Sequence, residues 1–225
     1  MRINDDLTNP VIIQASELPW IASPAAGVDR RMLFRIGDEV ARATSIVRYA
    51  PRSAFPRHTH GGGEEIVVLD GVFQDEHGDY PAGSYFRNPP GTSHVPASAK
   101  GCTIFVRLWQ FREGDHEQIV RRPSEGRQLD TKSGPTSVIE LFDDGFENVR
   151  IENCAPGDVI AIENKRGLEA LVLAGHLSIG DQNLATQGWI RLPTGAALRG
   201  MAGPEGAKIW VKDAPLLHSD VCRIP

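Results

Sequence analysis

His58 and His60 stand one residue apart, and Glu64 follows across the triplet Gly61-Gly62-Gly63. In an extended segment side chains alternate faces and each residue advances ~3.3 Å, so the two imidazoles point the same way, ~6.6 Å apart along the backbone. Glu64, Ile66 and Val68 keep that face if the glycine corner preserves parity, and Glu65 is then turned outward, beside solvent or a subunit contact. A buried neutral imidazole must satisfy both ring nitrogens or give one to a metal. A metal needs further ligands, and His94, closing the segment "NPPGTSH", is the fourth candidate. Three imidazoles and a carboxylate form a donor set that suits Zn(II), Fe(II), Mn(II), Ni(II) or Cu(II). Held tetrahedrally by all four, the ion is closed off as in a structural zinc site; with more positions, water, substrate or O2 can enter. His77 reads as a surface turn residue, and His116, His176 and His218 have no partner at ligand spacing.

The elements that must position these groups are short strands. Ala43–Arg48, Glu65–Leu69, Ser84–Arg87 and Thr103–Trp109 are β-rich and are cut at short intervals by Gly, Pro and Asp-Gly turns, the pattern of an all-β barrel or sandwich. From Arg112 to Pro135 the chain turns polar and reads as a linker or edge segment. The pattern then restarts. "EEIVVLDGVF" aligns with "LEALVLAGHL" (Leu168–Leu177), "PAGSYFRNPPGTSH" with "ATQGWIRLPTGAAL" (Ala185–Leu198) and "KGCTIFVRLW" with "EGAKIWVKDA" (Glu205–Ala214). Such an internal repeat predicts two tandem copies of one fold, with domains over 1–133 and 134–225. In the second copy Leu168 stands for Glu64 and Leu198 for His94. The two histidine positions fall on Ile162 and Asn164, or on Glu163 and Lys165, depending on where one deletion is placed. None is an imidazole, so one transition metal per chain is expected.

Composition narrows the classes. The chain has 225 residues and a net charge of −5, with no Lys/Arg block that would mark a nucleic-acid partner. No run of eighteen apolar residues is present, and Asp5 and Asp6 occupy the place where a signal peptide needs an apolar stretch, so a cytoplasmic protein is expected. Cys102, Cys154 and Cys222 are far apart, without a CxxC, and read as reduced, buried thiols.

The spacing His58-x-His60-x3-Glu64-x6-Gly71, followed by Gly83-x5-Pro89-x-Gly91-x2-His94, resembles the two signature motifs of the cupin family, with Ser98 where the second usually ends in Asn. The resemblance implies tandem double-stranded β-helix (jelly-roll) barrels, a bicupin. Over Gly37–His94, and on through Gly101–Phe111, the chain is similar to the ChrR-type cupin domain; Trp20, Pro24, Gly27-Val28 and Arg31-Met32-Leu33 match that family's opening segment. This likeness implies a zinc site on His58, His60, Glu64 and His94, with Fe, Mn or Ni as alternative metals. It also implies a role in restraining a sigma factor under oxidative stress, and assembly as a homodimer. In ChrR the sigma factor is held by a separate helical domain with its own His/Cys zinc site, and no HxxxCxxC occurs in this sequence. The same cupin type is similar to small Fe(II) dioxygenases that cleave diketones or hydroxyacetophenones, which implies a small-molecule ligand instead. No catalytic residue is assigned.

Overall fold

Alternation along "EEIVVLDGVF" sets the architecture of the first half. Ile66 and Val68 turn to one face of the strand Glu64–Asp75, where they join Val47, Phe73, Phe86, Ile104 and Val106 in one apolar cluster. Burying each such side chain stabilises the fold by roughly 1.5–3 kcal/mol. The cluster closes the interior of an antiparallel sheet whose strands run in the order Arg2–Ile3, Val28–Gly37, Ala41–Tyr49, Cys102–Leu108, Glu64–Asp75, Tyr85–Asn88 and Ile119–Arg121. A short ladder pairs His58–Thr59 with Ser93–His94, in register His94 to His58. The computed structural model describes residues 1–131, 134–216 and 220–224.

A second sheet runs Arg127–Leu129, Ser137–Asp143, Asn148–Cys154, Leu198–Asp213, Leu168–Ile179, Gly188–Leu192 and Val11–Gln14. Its interior is aliphatic: Ile160, Ile162, Leu168, Val172, Ile190, Leu198 and Ile209 pack together. The strands Glu64–Asp75 and Leu168–Ile179 bury their residues in the same order along their whole length. Both halves are therefore antiparallel all-β barrels of the cupin type.

The two compact units are not the continuous stretches 1–133 and 134–225. One holds Met1–Asp5, Pro19–Ser124 and the described residues 220–224; the other holds Asp6–Leu18 and the described residues of 125–216. Val11–Gln14 pairs with Gly188–Leu192 as the outermost strand of the second sheet, in register Ile12 to Ile190. Ile119–Arg121 holds the matching place in the first sheet, against Tyr85–Asn88. The polar stretch after Arg112 thus supplies an edge strand to each unit, since Arg127–Leu129 pairs with Ser137–Asp143. Its polarity marks an exposed strand face: Val120 is 42% exposed although its backbone is in the ladder. Lys132 and Ser133 lie outside the described residues, as does His218. Among the described residues no helix is long and apolar enough to cross a membrane.

Candidate metal centre

His58 lies in one short ladder strand and His60 just past its end, His94 lies in the partner strand, and Glu64 opens the long strand beyond the glycine triplet. These elements bring one ligand atom from each residue to within 4.8 Å of all the others. His60, Glu64 and His94 are buried, and His58 is the least covered of the four. His60 Nε2 and His94 Nε2 stand 3.2 and 3.3 Å from the same oxygen, Glu64 Oε2. Those separations suit neighbouring ligands on one ion with bonds of about 2.0–2.2 Å.

The outer hydrogen bonds fix which ring nitrogen carries the proton. His58 Nδ1 is 3.2 Å from the carbonyl of Pro56, which can only accept. His60 Nδ1 is 2.9 Å from Thr92 Oγ1, whose own proton is donated to Pro89 O at 2.7 Å. Thr92 must therefore accept from His60. His94 Nδ1 faces Asp75 Oδ2 at 3.4 Å, a carboxylate that accepts. Each imidazole is thus protonated on Nδ1 and turns a bare Nε2 to the centre. Nε2 of His60 and of His94 are buried without a hydrogen-bond partner. Three lone pairs and a carboxylate converging on one point repel each other, and a divalent cation removes the conflict. The residues fit a bound metal on this ground.

Electrostatics agree. Burial alone would raise the Glu64 carboxyl, but the close approach of His60, with His94 and His58 beside it, pulls it down to about 2. Burial holds the His58 imidazole below its ordinary value, with Glu64 opposing. On His94 burial is outweighed by Asp75 and Glu64, which lift it. Asp75 accepts from His77 N at 2.8 Å and from Tyr80 Oη at 3.2 Å, so the turn at His77 serves to aim Asp75. Asn88 Nδ2 approaches Glu64 Oε2 at 3.4 Å and is itself held by Gln118 at 3.2 Å.

The glycine triplet is held by packing. A Cβ on Gly62 would lie 2.2 Å from Trp109 Cε3, and one on Gly61 2.6 Å from Trp109 Cη2. Gly63 takes φ +79° and meets Phe111. The corner is glycine because two aromatic rings press on it. Trp109, with His58, His60 and Glu64, borders a cavity of about 400 Å³ whose walls include Val28, Val47, Tyr49 and Leu108.

Glu65 does turn away from the centre, yet it is only 1% exposed and so does not face solvent. Arg107 Nη1 and Tyr85 Oη reach it at 2.6 and 2.7 Å, and its cross-strand neighbour Arg87 is tied to Asp115 and to Glu117 O. Parity identifies a face but not what covers it. Asp75, Thr92 and Asn88 carried no motif signal; Thr92 and Asn88 lie inside "NPPGTSH" and could have been weighed as supports for His60 and Glu64.

In the second unit Leu198 pairs with Ile162 as His94 pairs with His58, which places the two histidine positions on Ile162 and Asn164. By the same register Asn88 corresponds to Leu192 and Asp75 to Ile179. Asn164 instead donates to the carbonyls of Pro193 and Ala196 at 2.8 and 3.1 Å and accepts from Gly167 N at 2.7 Å. The support residues are replaced along with the ligand positions.

Comparisons with known proteins follow the same lines. The model of the ChrR cupin-like domain matches residues 8–112. No curated protein matches the sequence significantly. Among solved structures, a candidate dioxygenase from Nostoc punctiforme is 15% identical with a TM-score of 0.70, covering 97% of this chain and 88% of that one. Ylba from Escherichia coli is 15% identical with a TM-score of 0.69, covering 95% and 94%. The E. coli pirin YhhW, solved with nickel(II), is 14% identical with a TM-score of 0.65, covering 93% and 100%. At these identities the likeness is one of fold. Residues 8–112 are accordingly similar to the ChrR cupin-like domain, within a chain whose fold is shared with cupin-type barrel proteins.

Proposed function

We propose that the first unit is a metal-dependent enzyme of the non-haem dioxygenase class, acting on a small organic molecule at a divalent transition metal held by His58, His60, Glu64 and His94. The observation that carries this reading is the cavity of about 400 Å³ bordered by three of those four residues. A purely structural ion needs no such space, whereas a site that admits a ligand does. The metal, when bound, supplies Lewis acidity and, as Fe(II), a place for O2. The chain's own residues do the rest. Thr92, Asp75 and the Pro56 carbonyl hold the three rings with Nε2 inward. Asn88 holds Glu64, and apolar walls line the cavity beside the centre.

A second reading follows from the family match. A zinc-loaded domain of the ChrR kind would act on a sigma factor or another regulator. The cysteines add no thiol switch to it: all three are free and buried, and burial pushes the Cys102 and Cys154 thiols up to about 11 and about 12. One experiment separates the two readings. The purified protein is analysed for metal, then stripped and reloaded anaerobically with Fe(II) or Zn(II), and O2 uptake is followed on a β-diketone and a hydroxyacetophenone. Substrate-dependent uptake with Fe(II) alone is expected. Zinc as the native metal, no uptake with either ion and a co-purifying sigma factor would establish the regulator instead.

A further inference from the structure

Besides Glu64 at the metal centre, three charged side chains border the cavity: Arg30, Glu39 and Arg57. Arg57 is committed to Glu76 at 2.5 Å, and Glu39 is exposed. Arg30 differs from both. It lies two residues from Val28 on the same face of the strand Val28–Gly37 and pairs across the ladder with Val47, so its side chain leaves the backbone on the interior side of the sheet. Its neighbours in that row, Val47, Ile104 and Val68, offer no acceptor. Arg30 Nε is buried and has no hydrogen-bond partner among the described residues. Leaving such a donor unmet is unfavourable, the more so when the group is charged.

A guanidinium is a planar fork that matches a carboxylate in two parallel hydrogen bonds. The walls beside it are apolar, and the volume lies within the ~300–1000 Å³ usual for small-molecule sites. We propose that the cavity takes an organic carboxylate, its anionic group held by Arg30 and its apolar body lying against Val28, Val47, Ile104 and Trp109. This deepens the enzyme reading above and rests on it for the fate of the ligand, but Arg30 is not among the metal-facing residues, so the two can fail separately.

The test is calorimetric titration of benzoate and phenylacetate against benzamide and phenylacetamide. It uses the wild type, Arg30→Gln and Arg30→Lys, each metal-loaded and again after chelation. The acids are expected to bind about tenfold to a hundredfold more tightly than their amides. That preference should vanish in Arg30→Gln, persist in part in Arg30→Lys, and survive chelation, with metal content unchanged in both variants. Failure of the protein to hold metal would sink the enzyme reading and leave this preference standing. Four outcomes would overturn the anchor: equal binding of acid and amide, a preference unchanged in Arg30→Gln, a preference lost with the metal, or no binding of either acid. Should Arg30→Gln not fold, Arg30→Lys carries the test, since it keeps the charge and loses the fork; an undiminished preference there also counts against the anchor.

Discussion

Adjacent glutamates in this chain are given opposite tasks. Glu64 sits among three imidazoles, while Glu65, one residue on, is locked to Arg107 and Tyr85. Neutralising each should therefore produce separate defects. Glu64→Gln should weaken metal binding beyond the ~10–100-fold typical of an outer-sphere change while leaving thermal unfolding of the stripped protein nearly unaltered. Glu65→Gln should leave metal content intact and destabilise the first unit by about 3 kcal/mol, because Arg107 then keeps a buried charge without its carboxylate. Metal analysis and denaturant melts on both variants check this; the reverse pattern would exchange the two roles. Parity set His58, His60 and Glu64 on one face, and the motif spacing added His94; the structure brings all four together. The burial of Glu65 was not legible. Its cover comes from Arg107, forty-two positions away, and such a partner leaves no trace in the local pattern.

At the scale of elements, the ladder His58–Thr59 with Ser93–His94 and the strand from Glu64 are joined by a corner that touches Trp109 and Phe111. Spacing suggests a flexible hinge there, because glycine is the usual sign of freedom. Aromatic rings more than forty residues downstream make it a packing requirement instead. Gly62→Ala should cost about 1–3 kcal/mol by overpacking against the indole, and it should lower metal affinity by displacing Glu64. In a Trp109→Ala background the same substitution should cost far less. A double-mutant cycle on unfolding free energy reads that coupling, and additive effects would show that the corner is glycine for another reason. The same reasoning explains the polar stretch after Arg112. Its composition describes the exposed side of an edge strand, and only the ladder with Tyr85–Asn88 reveals the strand itself.

Over the whole chain, donor-bearing and aliphatic centres occupy corresponding register positions in two units. The exchange extends past the ligand positions to Leu192 and Ile179, so restoring single histidines to the second unit would not rebuild a supported site. The expected stoichiometry is one metal per chain by elemental analysis, lost entirely in His60→Ala. The second unit also depends on the first residues of the chain, because Ile12 packs on its aliphatic core and sits opposite Ile190. Ile12→Asp should destabilise that unit by about 2–4 kcal/mol while the metal stays bound to the other. Two unfolding transitions, only one of them metal-dependent and only the other shifted by Ile12→Asp, would display this independence; a single shifted transition would refute it. No feature of "VIIQ" announces its partner, since the strands that meet are separated by most of the sequence.

That pairing has a consequence for biosynthesis. Val11–Gln14 leaves the ribosome long before its docking strand Gly188–Leu192. At about 5–20 residues per second, the early segment waits roughly ten to thirty seconds for its berth. All the described strands of the first unit's sheet except the two-residue Arg2–Ile3 lie between these two segments, so that sheet can pair while the segment waits. Until residue 192 emerges, the nascent chain thus carries an apolar, unpaired β-strand that is open to a chaperone or to a neighbouring copy of itself.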